Sequence, residues 1–147
     1  MLDGLLIIRS PRLVVREGQF SDWAALSEGA ARDAALRALP TVVPPEATEI
    51  HYYIRPYLPY LEASFSLSEE EFARWSEQMG WRPRPIEYPT QANALVPELH
   101  PATSVETGLA WQHSGPSPND PWQLPGLASV LYDSGRRRVY YCFIGDD

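Results

Sequence analysis

Between residues 48 and 81 the hydrophobic and polar positions repeat with two different periods. Ile50, Tyr52 and Ile54 fall on one side of an extended chain, and Glu49, His51 and Tyr53 on the other, with the run continuing to Arg55. That is a strand with one core face. After Pro56-Tyr57-Leu58-Pro59 the alternation resumes, with Leu61, Ala63, Phe65 and Leu67 inward and Tyr60, Glu62, Ser64 and Ser66 opposite, which predicts an antiparallel hairpin. A four-residue loop sets its register: Arg55 faces Tyr60, Tyr53 faces Glu62, His51 faces Ser64 and Glu49 faces Ser66, with opposed Cβ atoms about 5 Å apart. The period then changes to that of a helix. Ser68-Glu69-Glu70-Glu71 forms a capping box, Phe72, Trp75 and Met79 share one face, and Gly80 supplies the left-handed residue that ends the helix, with Trp81 packing back.

The flanking pattern is less regular. Gly4–Ser10 and Arg12–Arg16 are short β-branched runs separated by Pro11, which reads as an edge strand or two. Ser21 is a plausible N-cap for a helix over Asp22–Leu39, with Leu26, Ala30 and Ala34 at helical spacing, Gly29 interrupting and Pro40 stopping it. So thin an apolar stripe leads us to expect residues 1–45 to be loosely attached. Thr41–Glu46 reads as a linker. Arg82–Gly126 holds nine of the fifteen prolines, with room for short strands at Ile86–Tyr88 and Thr107–His113 in an otherwise ordered loop. A closing hairpin joins Leu127–Tyr132 to Val139–Ile144 through Asp133-Ser134-Gly135, where the glycine is expected to take positive φ. Val139–Ile144 lacks alternation, which marks a central strand covered on both faces. The expected fold is a single α+β domain over 1–147: a mostly antiparallel sheet, one or two helices on one face, and a long proline-rich loop segment.

The run Ala47-Thr48-Glu49-Ile50-His51-Tyr52-Tyr53, its partner strand and the Ser68-Glu69-Glu70-Glu71-Phe72 helix, all within Leu39–Trp81, resemble a pattern met in small uncharacterised bacterial proteins. Tyr132-Asp133 and Val139-Tyr140-Tyr141 belong to the same resemblance. It covers about half the chain. It implies an α+β fold and carries no function.

Composition narrows the chemistry. A chain of 147 residues, 44% hydrophobic and 21% charged, can bury a core without metal or disulfide. All twelve basic residues are arginine, so lysine Schiff-base chemistry and a P-loop lysine are excluded. The net charge of -7 disfavours nucleic acid and anionic membranes and leaves a basic protein as an expected partner. The single cysteine, Cys142, excludes an internal disulfide and multi-cysteine metal sites, and lies in an apolar run as a small buried hydrophobe. Met1–Ser10 has no basic region before Leu5-Leu6-Ile7-Ile8, a run too short for a signal core or a bilayer span; the expectation is a cytoplasmic protein.

Reactive types converge only on the polar face of the 48–67 hairpin. His51, Ser64, Glu49 and Glu62 supply the inventory of an acyl-transfer site, in which a nucleophile needs a base within hydrogen-bond reach and a group to orient it. No nucleophile elbow or evident oxyanion hole accompanies them. His51, His100 and His113 match no metal-ligand spacing, so neither metal nor cofactor is expected. Arg136-Arg137-Arg138 is the only basic cluster, either a solvated hairpin tip or a contact for an acidic group. Tyr53 and Arg55 on the hairpin, with Tyr57, Tyr60, Trp111 and Trp122 in or beside proline-containing loops, are candidate binding residues; the loop aromatics could equally pin the loops to the core.

Two functions remain open. The first is a non-enzymatic acidic module that masks a basic protein, as immunity proteins do. The alternative is a small hydrolase or ligand-binding protein using the hairpin's polar face. They differ in whether that face floors a pocket or lies open. The expectation is a shallow, open face on which His51 makes no hydrogen bond to Ser64.

Overall fold

A computed structural model describes residues 15–57, 59–99, 102–115 and 119–146; the strands expected before residue 15 lie outside them. In chain order the elements are β1 (Arg16–Asp22), α1 (Trp23–Arg32), a 3-10 turn (Ala34–Leu36), α2 (Leu39–Val42), β2 (Thr48–Arg55), β3 (Tyr60–Ser66) and α3 (Glu69–Met79). They continue with β4 (Arg84–Pro85), β5 (Thr90–Gln91), β6 (Ser104–Val105), β7 (Gly108–Gly115), β8 (Gly126–Asp133) and β9 (Arg138–Gly145). Seven strands form one antiparallel sheet in the order β1-β2-β3-β9-β8-β7-β4, with α1, α2 and α3 packed against it, and β5 pairs with β6 separately. The class is α+β. Among the described residues no helix is long and apolar enough to cross a membrane.

The alternation of the central hairpin is realised. Arg55 pairs with Tyr60, Tyr53 with Glu62 and His51 with Ser64. The register then shifts, because Glu49 bulges at φ 49° and Thr48, not Glu49, becomes the partner of Ser66. Ile50, Ile54, Leu61, Ala63 and Phe65 are buried on the core side with Val139, Tyr141 and Phe143 of β9.

On that side α3 docks its aromatic face. Ser68 and Glu71 close the capping box and Gly80 ends the helix at φ 77°, a conformation that favours glycine. Phe72 stacks on Tyr132 at 4.4 Å, Trp75 meets Phe65 edge-on at 5.4 Å, and Trp81 folds back over Tyr141 at 5.9 Å. The Tyr132 hydroxyl donates to the Leu67 carbonyl at 2.9 Å, so this fully buried ring also has its polar end satisfied.

Several expectations are corrected. The long first helix is broken: Asp22, not Ser21, is its N-cap, and Asp33 ends it by accepting from Ala35 N at 3.0 Å and taking an ion pair from Arg16 at 2.7 Å. Pro40 sits in the first turn of α2, so it starts a helix instead of ending one. Nor is the described part of that segment loose, for Leu26, Leu36, Leu39, Val42 and Val43 are all in the main core. Gly29 has a packing role, since a Cβ there would lie 2.6 Å from the Phe20 ring that joins α1 to β1. The pairing strand before β7 is Arg84–Pro85, not Ile86–Tyr88, while Ile86 packs on a second apolar cluster. In the last turn Asp133 accepts from Gly135 N and Arg136 N, and the left-handed residue is Arg137 at φ 54°, not Gly135.

The reverse face of the sheet is not simply solvated. Ala92, Val96 and Val105 cover Leu131 and Tyr140, so β8 and β9 are buried on both sides near their centres, and Glu62 and Ser64 of β3 are buried on this face as well. Trp75→Ala removes a ring touching Phe65, Phe72 and Trp81 and should cost about 3 to 5 kcal/mol in a denaturant titration. A midpoint like that of the parent chain would show that the helix is not seated on this core.

Candidate functional site

The reverse face divides in two, and the division follows which residues the cover reaches. Under the cover, Glu62 is 0% exposed. Its carboxylate accepts from the amides of Glu98, at 3.1 and 3.2 Å, and Leu99, at 3.0 Å, and from the Tyr60 hydroxyl. Burial raises its pKa, while those three donors pull the other way. Glu62 is therefore a strut holding residues 98 and 99 against the sheet, closed to any substrate. Beside it Arg55 donates to the Tyr53 hydroxyl at 2.9 Å, lies over the Tyr53 and Tyr60 rings at 5.3 and 5.6 Å, and pairs with Glu98 at 3.8 Å. Tyr53, Arg55 and Tyr60 thus bind the cover to the sheet. The Cys142 thiol on this face is pushed up to about 11 by burial, so it is no thiolate nucleophile.

Beyond the cover the face opens into a groove of about 550 Å³ whose walls include Phe20, Glu49, His51, Ser66, Arg136 and Arg138. A second hollow of about 310 Å³ shares His51, Arg136 and Arg138 with it and adds Ser64 and Tyr140. As expected, the face is open to solvent, and it carries a recess. The cause is register: Ser66 of β3 pairs with Arg138 of β9, so the long arginine side chain lies across two short serines and walls the hollow.

Arg138 organises this end. Its Nε donates to Ser64 Oγ at 2.8 Å and its Nη1 to Ser66 Oγ at 2.9 Å, while Ser66 Oγ donates on to Glu49 at 3.2 Å. Among the described residues it makes no ion pair, and burial pulls its pKa down. Arg136 is held by Asp133 at 2.8 Å and by the Ser104 carbonyl at 3.2 Å. His51 is exposed at the mouth; burial and then the Arg138 charge lower its pKa, and Glu49 opposes them. The four acyl-transfer candidates therefore do not assemble: Ser64 is 5% exposed with Arg138 on its oxygen, Glu62 is under the cover, and His51 bonds neither.

The remaining candidates disperse. Trp122 tilts onto Phe143 at 6.2 Å with φ 56° and pins its turn, while Trp111 lies on β7 and packs against the main core. Tyr57 stands 59% exposed at the hairpin loop. His113 is on β7, across the sheet from His51, and His100 lies outside the described residues; among those described, no three His, Cys, Asp or Glu side chains gather as metal ligands. Sequence reasoning treated Arg138 as one member of a charged tip. What distinguishes it is its pairing across from Ser66, a contact between residues far apart in the chain. Compared with protein-family models, curated proteins and solved structures, the chain matches none.

Glu62 yields a prediction with a sign. Its folded pKa is raised, so its contribution to stability is fully present below the model-peptide value of 4.5 and is lost as pH rises through the folded value. Glu62→Gln should flatten that decline and keep an acceptor for the cover. Glu62→Ala removes the acceptor of the Glu98 and Leu99 amides and should cost about 1 to 3 kcal/mol by equilibrium unfolding. Equal pH slopes for the parent and Glu62→Gln would refute the assignment.

Proposed function

We propose that this protein is a non-enzymatic binding module whose ligand surface is the groove at the open ends of β2, β3 and β9. The observation that carries the reading is the 2.8 Å hydrogen bond from Arg138 to Ser64 Oγ. It occupies a lone pair of the oxygen that would have to attack, and among the described residues no base bonds the hydroxyl proton, as acyl transfer would require. A concave surface lined by a few convergent polar groups and a half-buried cation has the polar anchors of a ligand pocket. Two arginines and a histidine against one glutamate do not suit a basic partner at this surface. The overall charge of -7 resides elsewhere, including the exposed Glu69, Glu70 and Glu77 of α3. A single buried thiol suits a reducing, cytoplasmic setting.

The experiment is a ligand screen followed by amide and imidazole NMR. Binders should perturb His51, Ser66 and Arg138 together and leave the α3 face unchanged. A panel of activated esters and amides, run in parallel, should give no turnover that depends on the groove. Turnover lost in both His51→Ala and Ser64→Ala would overturn the binding-module reading in favour of a hydrolase.

A further inference from the structure

Resting on the reading of this groove as a ligand surface, we infer that its ligand presents an oxyanion, a carboxylate or phosphate group on a body with an apolar part, to the Arg138 guanidinium. The inference starts from charge accounting. Arg16, Arg32, Arg55, Arg74 and Arg136 each have a carboxylate partner. Arg37, Arg82, Arg84 and Arg137 have none among the described residues, but they are exposed and water solvates them. Among the described residues Arg138 alone combines partial burial with the lack of a direct ion pair, and Glu49 acts on it only across Ser66 Oγ. A partly desolvated cation with no carboxylate in contact is unfavourable, and a neutral hydroxyl returns little of that cost. A bound oxyanion would supply the missing contact.

Geometry makes the same point. A guanidinium carries five N–H donors, of which Ser64 and Ser66 receive one each. Those two bonds hold the plane of the fork in place, and Nη2 has no partner among the described residues. A fork held still, with donors to spare and a hollow beside it, suits recognition of planar or tetrahedral oxyanions. Arg136 lines the same groove, though Asp133 already neutralises much of its charge. Leu99 and Tyr140 give the adjoining hollow an apolar side, and the groove's space of about 550 Å³ exceeds what a bare inorganic ion fills. That is the ground for assigning the anion an organic body.

His51 couples to the site. The charged and titratable groups around it are Arg138 and Arg136 from the β8–β9 hairpin, Glu49 on its own strand, and Tyr140, with Asp133 behind Arg136. Burial holds the imidazole towards its neutral form, and the Arg138 charge adds to it. An oxyanion on Arg138 cancels that field, so His51 should take up a proton as the ligand binds and become a second donor.

The test is an NMR titration of the His51 imidazole with benzoate, phenyl phosphate, neutral benzamide and sodium chloride at matched ionic strength. Benzoate or phenyl phosphate should raise the His51 pKa saturably, and whichever saturates at the lower concentration identifies the preferred oxyanion. Arg138→Gln should abolish the shift. Should that variant fold poorly, Ser21→Glu, an exposed change at the groove rim, should weaken the anion at least about tenfold by placing a competing carboxylate there. An equal shift with chloride, or no saturable shift with either anion, would overturn the inference. Saturable binding of benzamide alone would overturn it too while leaving the binding-module reading standing, which only groove-dependent turnover removes.

Discussion

The arrangement of this molecule hangs on the carboxylate of Glu62. β3 lies near the middle of the sheet, and its polar positions would face water if nothing covered them. Glu62 gathers the Glu98 and Leu99 amides and the Tyr60 hydroxyl, and so anchors a stretch of chain 36 residues further on across the reverse face. Ala92 and Val96 then seal Leu131 and Tyr140 beneath it. A buried carboxylate is tolerable when several N–H groups point at it, and here those groups come from backbone that would otherwise lack partners.

Once the cover is anchored, it also defines where the face stays open. β3, β8 and β9 carry three charged groups, and each is compensated differently. Glu62 is met by amides and a phenol. Asp133, 2% exposed, is met by two amides and Arg136. Arg138 is met by two neutral hydroxyls. The first two are closed arrangements, while the third leaves both charge and donors over. On the reading proposed above, that difference divides the roles: the closed pair maintain structure, and the incomplete one is where a ligand would bind. The same accounting bears on the hairpin's catalytic inventory, because Arg138 occupies a lone pair of the Ser64 oxygen and His51 does not bond it.

The other face is conventional by comparison. Aromatic rings from α3 and the turn after it interlock with Phe65, Tyr132 and Tyr141, and the capping box and Gly80 set where that helix starts and stops. This rigid half supports the strands from behind. The groove residues on β2, β3 and β9 therefore sit on well-packed backbone.

The sequence by itself determined what depends on neighbours in the chain. The alternation of β2 and β3, their pairing up to His51 and Ser64, the α3 caps and the two-faced burial of β9 are all set by local period, turn length and cap chemistry. Where a local competitor intervened, the reading failed. Asp33 broke the first helix, Pro40 began one, and the Glu49 bulge displaced the last pair of the hairpin. Only the tertiary structure decided the site. Whether Glu62 is a base or a strut depends on residues 98 and 99, and whether Ser64 is a nucleophile or a prop for Arg138 depends on β9, 74 positions away. Side-chain chemistry is written in the residues, but the partner that directs each group is chosen by packing between distant segments, which no short-range pattern encodes.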